Sequence, residues 1–451
     1  MKKTFLLITF ALLALQTTFA QYPSWAKKAN NSIFKVTTFS ADGTEIGSAS
    51  GFYIAENEGI APYSIFNNAA KAIVLETSGK EFEVESMVAA NDIYDIVRFK
   101  TVGSKQSPLT VATAAQAAEN DQVWLFTYSK KSPSGIQGEV EKAETFRENY
   151  CYYTLNFPAK SNEVGSPVFN LNGEVIGLLQ MGAADYDKSN YAVSAAFAQS
   201  MTLNAFSIND KTLQSINIKT AIPDEENQAF LFMTLAGTAL KKDKYRNVVN
   251  DFIEKFPKSG DGYAALARIY TDEENFDEAL KEYEHAYELN PQQVYKNQES
   301  KMFINKALWH FGKEQYRDAV MAFNKAEELV VDTLDDAFYF TREQAEVRCR
   351  MYQQALNDLD SAIHKTTKNE TYYAEKARVH YLVKQYDEGI STAEACIAKA
   401  PDYDVAHLLL GLCLIGKGEK EKGLVSLRKA QELGNLQAAN LIEKYSAENQ
   451  D

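Results

Sequence analysis

The chain has 451 residues, of which 45% are hydrophobic and 24% are charged, and its formal net charge is −14. This composition is typical of a soluble globular protein, and the length is enough for two or three domains. An acidic surface repels phosphate groups, so the charge argues against nucleic acid and anionic lipid as partners.

The first twenty residues, MKKTFLLITFALLALQTTFA, have the organisation of a secretory signal peptide. Two lysines precede an apolar run, and small residues occupy the cleavage-determining positions Thr18 and Ala20. We expect cleavage after Ala20 and a mature protein that is periplasmic or secreted. A retained membrane anchor is the alternative, but the apolar run is shorter than the ~20 residues that a span requires. No other transmembrane segment is predicted.

Residues 21–220 contain short β-branched and aromatic runs that are separated by turn signals, such as SIFKVTTF, SGFYIA, DQVWLFTY and CYYTLNF. The pair Asn172-Gly173 lies between apolar runs. It predicts a β-hairpin with a type I′ turn, in which both central residues need a positive φ. Ser78-Gly79 marks another hairpin. Strands at this density, without long helical periodicity between them, predict an all-β barrel or sandwich.

After about residue 225 the pattern becomes helical and repeats. A small residue recurs at intervals of 40, 36, 34 and 34 residues, as Ala279, Ala319, Ala355, Gly389 and Gly423. An aromatic residue stands three positions before the first four of them, as Phe276, Tyr316, Tyr352 and Tyr386. Two intervals equal the 34-residue period of the tetratricopeptide (TPR) family, which this pattern resembles. A degenerate unit over 230–257 and a capping helix over 435–449 complete the predicted array.

The TPR resemblance implies a right-handed solenoid of helix pairs whose concave groove binds an extended peptide or a partner's helix. Residues 221–451 carry 29 Lys and Arg against 40 Asp and Glu, so a partner with basic residues would suit this surface. His310, His380 and His407 fall on first helices of the pairs. For each of them, a place in the groove and a plain helix-surface role remain open.

The order of segments over residues 30–205 resembles the HtrA-type branch of the trypsin-like serine peptidases. GSASGFYIA is similar to the strand before that family's general base, and NDIYDIVRF to the strand with its aspartate. SNEVGSPVFNLNGEVIGLLQ matches the nucleophile turn, and NYAVSAAFAQSM matches the closing segment. The resemblance implies two packed six-stranded antiparallel barrels. The predicted fold is therefore a trypsin-like double β-barrel over 21–220, followed by a TPR helical solenoid over 221–451.

The same resemblance places the triad positions at Ser64 (general base), Asp95 (aspartate) and Val164 (nucleophile). A serine nucleophile needs a nearby base such as imidazole, and all five histidines lie in the helical half. Val164 has no oxygen with which to attack, and Glu163 adds negative charge where an oxyanion would need stabilisation. The sequence therefore predicts a pseudopeptidase, whose Asp95 caps a turn or binds backbone amides.

An active endopeptidase with a divergent site is the alternative. It would use Ser166 as a displaced nucleophile, Cys151 as a thiol nucleophile, or Ser64 with a desolvated lysine. The four cysteines lack metal-ligand spacing and favour buried free thiols over disulfides, and neither a metal nor a cofactor is expected. The predicted function is a secreted protein- or peptide-binding adaptor.

Overall fold

The computed structural model describes residues 22–113, 117–147, 149–181, 190–330, 334–366 and 369–447. The predicted signal peptide lies outside these residues. The chain divides into two compact units, of which the first ends at Phe252 and the second begins at Ile253. This division comes one helix pair after the predicted domain boundary between residues 220 and 221, which stays a prediction.

The first unit contains two closed antiparallel barrels. The first barrel has the strand order β1-β2-β3-β6-β5-β4, where the strands are β1 (Ile33–Phe39), β2 (Glu45–Ala55), β3 (Glu58–Ala61), β4 (Lys71–Glu76), β5 (Glu81–Asn91) and β6 (Ile96–Thr101). The second has the order β10-β11-β12-β9-β8-β7, where the strands are β7 (Gln122–Thr127), β8 (Ser134–Phe146), β9 (Tyr150–Leu155), β10 (Pro167–Asn170), β11 (Val175–Met181) and β12 (Asn190–Ser194). Two barrels of six strands confirm the predicted trypsin-like fold.

The barrel strands alternate buried and less buried residues, because successive side chains of a strand point to opposite faces. In β4, Ala72, Val74 and Glu76 are buried, whereas Ile73 and Leu75 are partly exposed. Glu76 is a carboxylate inside a hydrophobic barrel. It accepts hydrogen bonds from Ser104 Oγ at 2.7 Å and Gln106 Nε2 at 2.8 Å, so its burial is compensated.

The hairpin predicted at Asn172-Gly173 is present, but the predicted type I′ turn is wrong. Gly173 has a φ of +83°, whereas Asn172 is outside the left-handed region. The side chain of Asn170 accepts the backbone N–H groups of Asn172 and Glu174, each at 3.0 Å. The β10–β11 register then shifts by a bulge. A loop with one left-handed glycine and a bulge therefore replaces the two-residue turn.

The first unit also contains helices α1 (Ala26–Asn31), α2 (Ala195–Ser200), α3 (Lys211–Gln214) and α4 (Glu226–Ala239), and α5 (Lys242–Lys255) crosses the division between the units. The second unit contains α6 (Gly260–Asp272), α7 (Phe276–Leu289), α8 (Gln293–Gly312), α9 (Tyr316–Leu329), α10 (Asp336–Arg348), α11 (Tyr352–Lys365), α12 (Glu370–Leu382), α13 (Tyr386–Lys399), α14 (Asp404–Lys417), α15 (Lys420–Glu432) and α16 (Leu436–Ala447). Across the described parts of the chain, no helix combines the length and the apolarity needed to cross a membrane.

Within the described residues, the helices of the second unit form five consecutive pairs, α6–α7 to α14–α15, and α16 follows them. The four repeated aromatic residues are the first residues of α7, α9, α11 and α13. Two positions before each second helix the backbone is left-handed, at Glu274, Glu314, Arg350, Lys384 and Gly418. The longest interval, 40 residues, arises because α8 has 20 residues whereas α6 has 13. The pairs confirm the predicted TPR solenoid.

Candidate functional site

Ser64 and Asp95 lie in direct contact in the first barrel. Ser64 is in a 3₁₀ turn (Tyr63–Ile65), and Asp95 ends the β5–β6 turn with a φ of +48°. The backbone N–H of Ser64 donates to Asp95 Oδ1 at 2.6 Å, and Ser64 Oγ donates to Asp95 Oδ2 at 3.2 Å. Both carboxylate oxygens therefore hold the Ser64 turn, in agreement with the backbone-binding role that the sequence favoured for Asp95.

The nucleophile turn packs against strand β2. The carbonyl of Val164 accepts the N–H of Ser50 at 2.9 Å, and the N–H of Gly165 donates to the carbonyl of Leu179 at 2.9 Å. Gly165 has a φ of +85°, and a Cβ there would lie 2.0 Å from Ser50 O and 2.8 Å from Pro62 Cδ. Pro62 precedes the Ser64 turn, so the structure brings the Val164 turn next to the Ser64–Asp95 pair.

Glu163 precedes Val164 in a short 3₁₀ turn, Ser161–Glu163. One carboxylate oxygen of Glu163 accepts the backbone N–H of Lys160 at 2.8 Å. The negative charge that the sequence predicted beside the oxyanion position is therefore directed to the start of its own turn. There the carboxylate stabilises N–H groups that have no acceptor within the turn itself.

Two further side chains near Asp95 were not identified from the sequence. Tyr152 donates from its hydroxyl to Gln180 Oε1 at 2.9 Å, and Gln180 Nε2 donates to the carbonyl of Tyr94 at 2.5 Å. Burial raises the pKa of Tyr152, and the nearby Tyr191 and Asp95 raise it further. Tyr152 is thus a protonated donor at neutral pH. No motif could have revealed this network, since Gln180 and Tyr94 are 86 positions apart.

Two of the alternative nucleophiles, Ser166 and Cys151, are buried. Ser166 is 0% exposed, and its hydroxyl has no hydrogen-bond partner among the described residues, so no base contacts it there. Cys151 is buried in β9, opposite Thr145 of β8. All four cysteines are unpaired, and burial raises the pKa of Cys396 and Cys413 to about 11. These two thiols are therefore protonated at neutral pH.

Two of the three groove-candidate histidines stabilise the turns of their own pairs. His310 Nδ1 and Gln315 Oε1 are 2.7 Å apart, and His380 Nδ1 and Gln385 Oε1 are 2.9 Å apart. The glutamines occupy the same position, directly before the second helix of each pair. His407 Nε2 lies 2.8 Å from the carbonyl of Pro401. Each of the three imidazoles therefore has a partner within six residues along the chain.

A cavity of about 440 Å³ lies on the first helices of three consecutive pairs. Phe311 of α8 and Phe340 and Val347 of α10 form its apolar wall, and Arg378 of α12 lies at its side. Arg378 Nε donates to Glu375 Oε2 at 2.5 Å, and Arg378 Nη2 lies 3.9 Å from Glu343 Oε1. Arg378 is therefore paired with the carboxylate of Glu375, and polar and charged side chains, Gln344 and Arg348 among them, line the cavity together with the apolar wall.

The family model of the tetratricopeptide repeat matches residues 260–293, which span α6 and α7. The second unit therefore contains tetratricopeptide repeats. The "Small glutamine-rich tetratricopeptide repeat-containing protein 2" of Saccharomyces cerevisiae is 28% identical over 93 residues, which are 21% of this chain and 27% of the relative. The chain thus matches only about a quarter of that relative's length. Repeats of this family form protein-binding scaffolds, and this is the function that the second unit supports.

Two solved structures resemble parts of the chain. The active form of the Rv3671c protease from M. tuberculosis is 15% identical, and the match covers 46% of this chain and 96% of that one with a TM-score of 0.34. YrrB, described as a TPR protein with an unusual peptide-binding site, is 19% identical, with 44% and 97% coverage and a TM-score of 0.34. The fold assignment rests on the strand order and the helix pairs described above.

Proposed function

We propose that this chain is a secreted or periplasmic adaptor in which a catalytically inactive trypsin-like double barrel precedes a peptide-binding TPR solenoid. The observation that carries the proposal is the contact between Ser64 and Asp95. The carboxylate that would orient a general base instead accepts two hydrogen bonds from Ser64. Because a neutral hydroxyl does not take up a proton at neutral pH, Ser64 cannot replace the imidazole base of a serine peptidase.

The position of the nucleophile supports the same proposal. Val164 is fixed against β2 through its own carbonyl, and its side chain offers neither a proton nor an electron pair. The first histidine in the chain is His285, in the second unit. Gly165 lies in a crowded turn and has a positive φ. The backbone therefore has the shape of a nucleophile turn, although Val164 has no nucleophilic atom.

The solenoid is the proposed binding part. In the cavity, Phe311, Phe340 and Val347 offer a contact for an apolar side chain of an extended peptide, beside the polar and charged side chains that complete the lining. The excess of acidic residues over 221–451 suits basic residues on either side of that anchor. We therefore expect the partner to present an aromatic or aliphatic residue flanked by lysine or arginine.

Catalytic inactivity is tested with a fluorophosphonate probe, which labels activated serines, and with unfolded casein as substrate. We expect neither labelling nor cleavage by the full chain that begins at Gln21. Labelling that is lost in Ser64→Ala or Ser166→Ala would overturn this part of the proposal, since it would demonstrate an activated serine. Trypsin treated in parallel controls for the reactivity of the probe.

Peptide binding is tested by fluorescence anisotropy with two labelled peptide sets. Each peptide has one central phenylalanine, flanked by lysines in one set and by aspartates in the other. We expect the lysine set to bind more tightly, and Phe340→Ala to weaken it by about tenfold. Met321→Ala, at a 64% exposed position on α9, is the matched control. Equal affinity for both sets would contradict the basic partner, and equal effects of both variants would contradict the cavity.

The proposed location has its own measurement. We expect N-terminal sequencing of the protein from an envelope fraction to begin at Gln21. A first residue of Met1, or recovery of the protein from the cytoplasm, would contradict secretion without affecting the proposals on catalysis or binding.

A further inference from the structure

The first unit contains a cavity that the proposed adaptor function does not use. It has a volume of about 410 Å³ and lies between the segment of residues 207–220, here called the arm, and the helices α4 and α5. Its apolar lining consists mainly of Ile208, Leu213, Ile216, Ile218, Phe232 and Val248. The volume is within the range of about 300–1,000 Å³ that is usual for small-molecule sites.

Backbone hydrogen bonds fix the arm that forms one wall of this cavity. The N–H groups of Asn217 and Ile218 donate to the carbonyl of Ala69 at 2.7 and 3.1 Å. The N–H of Met87 in β5 donates to the carbonyl of Lys219 at 2.8 Å. Because the arm is attached to the first barrel on both sides of Ile218, its wall of the cavity is formed before any ligand arrives.

The edge of the cavity is positively charged, in contrast to the chain as a whole. Lys219 Nζ forms an ion pair with Asp251 Oδ1 at 2.9 Å, so these two charges offset each other. Lys241 and Lys244 also line the cavity, are exposed, and form no ion pair within the parts of the chain that the structure describes. Two uncompensated ammonium groups therefore border an apolar interior.

We propose that this cavity binds a linear alkyl carboxylate, with its chain along the apolar lining and its carboxylate between Lys241 and Lys244. The chain would remove aliphatic surface from water on both partners, which is favourable in proportion to the apolar area buried. The carboxylate would meet two ammonium groups, whereas an alkyl cation would be repelled by them. Asp251, the one carboxylate among the described residues that line the cavity, is already paired with Lys219.

The proposal is tested by isothermal titration of the full chain with four probes, each below its micelle-forming concentration. Decanoate carries both parts of the proposed ligand, decanol only the chain, decylamine the opposite charge and acetate only the carboxylate. We expect decanoate to bind most tightly, decanol more weakly, and decylamine and acetate without measurable heat. Equal binding of decanoate and decylamine would overturn the assignment of an anion.

Two variants locate the binding. The double substitution Lys241→Glu/Lys244→Glu should weaken decanoate by about tenfold or more and leave decanol unchanged. Lys71→Glu/Lys80→Glu, at exposed positions of the first barrel, makes the same charge change elsewhere and should have no effect. Loss of decanoate affinity by the same factor in both double variants would show a non-specific charge effect and overturn the site.

A filled cavity provides the second test. Ala239→Phe places a ring at an exposed lining position, where it need not disturb the buried packing, and it should abolish both decanoate and decanol binding. Circular dichroism checks that this variant keeps its fold. Undiminished decanoate binding by a folded Ala239→Phe chain would place the ligand outside the cavity and overturn the proposal.

Discussion

Both units pack a glycine against a backbone carbonyl, but the two positions have different surroundings. In the first unit, here called the barrel unit, a Cβ on Gly165 would lie 2.0 Å from Ser50 O. In the second unit, here called the repeat unit, a Cβ on Gly423 would lie 2.7 Å from Gly411 O. Gly423 serves a packing role that the repeats share. Gly165 holds a turn whose central side chain, Val164, has no nucleophilic atom. The backbone packing of the Val164 turn therefore does not depend on a nucleophilic side chain.

Buried carboxylates show a second difference between the units. Glu76 in the first barrel accepts hydrogen bonds from Ser104 and Gln106. Glu343 on α10 is 0% exposed, and neither of its oxygens has a hydrogen-bond partner in the described part of the chain. Burial raises the pKa of Glu343 to about 8, and the nearby Glu375 raises it further, against the opposing effect of Arg378. Hydrogen bonds compensate the buried carboxylate of Glu76, whereas burial favours the protonated form of Glu343.

The largest effect is expected for the buried arginine of the repeat unit. Arg342 donates twice to Asp358 at 2.7 Å and once to Glu327 at 2.6 Å. Arg342→Ala should lower the free energy of unfolding of this unit by about 4 kcal/mol, because it leaves a buried carboxylate unpaired. Hydrogen exchange, which reports on each unit separately, measures the loss.

In the barrel unit, Arg98 is the residue to compare with Arg342, because it also pairs with a carboxylate. It pairs with Glu58 and donates to the carbonyls of Gln199 and Met201, and its side chain is 16% exposed. Arg98→Ala should cost about 2 kcal/mol, since water reaches the groups that remain. Equal losses from both variants would contradict the contrast between the two units.

The effect expected for the nucleophile turn is smaller than that of Arg342→Ala but larger than that of Arg98→Ala. Gly165→Ala should cost about 3 kcal/mol in the barrel unit, because the new Cβ overlaps the carbonyl of Ser50 and the φ is positive. Gly79→Ala has a similar φ, +84°, with open space around it, and should cost about 1 kcal/mol. Urea denaturation of both variants measures the difference. Similar losses would mean that conformation alone, and not packing against β2, requires glycine at position 165.

Because the raised pKa of Glu343 favours its protonated form, the stability of the repeat unit should depend on pH. Because the pKa of Glu343 is higher in the folded chain than in the unfolded chain, its stabilising contribution is complete below about pH 4.5 and is lost as pH rises through 8. Glu346 on the same helix, whose pKa burial and Asp358 also raise to about 8, acts in the same direction. Glu343→Gln should therefore stabilise the unit by roughly 2 kcal/mol at pH 9 relative to its effect at pH 5.

Urea denaturation followed by the helical circular dichroism signal, at both pH values, measures this dependence. Glu421→Gln removes an exposed carboxyl from α15 and serves as the control. A Glu343→Gln variant whose stability changes with pH as steeply as that of the unmodified chain would contradict the assignment of Glu343.

The smallest effect is expected at the contact between Ser64 and Asp95. Asp95→Asn keeps the shape of the side chain but removes the charge that accepts the N–H of Ser64 at 2.6 Å. We expect a loss of about 1 kcal/mol in the barrel unit, typical of one weakened hydrogen bond to a charged group at a partly exposed position. Thermal unfolding measures it. An unchanged stability would mean that the contact between Ser64 and Asp95 is incidental, and would weaken the proposal that it replaces a catalytic pair.

The sequence by itself determined the features that depend on near neighbours in the chain. Period-2 runs predicted the strands, and the recurring aromatic and small residues predicted the helix pairs to within a few residues. The motif order also placed Ser64, Asp95 and Val164 at related positions of one barrel unit. The type I′ turn predicted at Asn172-Gly173 was wrong. The side chain of Asn170 accepts the N–H groups of Asn172 and Glu174, and these hydrogen bonds set the conformation of the loop.

Only the tertiary structure decided which distant groups meet. Some of these groups are far apart in the chain, such as Gln180 and Tyr94, or Gly165 and Ser50. The complete burial of Glu343 is likewise not predictable from any periodicity of the sequence. The cavity beside the arm likewise depends on backbone bonds between Ala69 and Asn217. The burial of a residue depends on which other parts of the chain pack around it. The pKa of an acid and the space for a ligand depend on burial, so both are determined only when the barrels and helices pack.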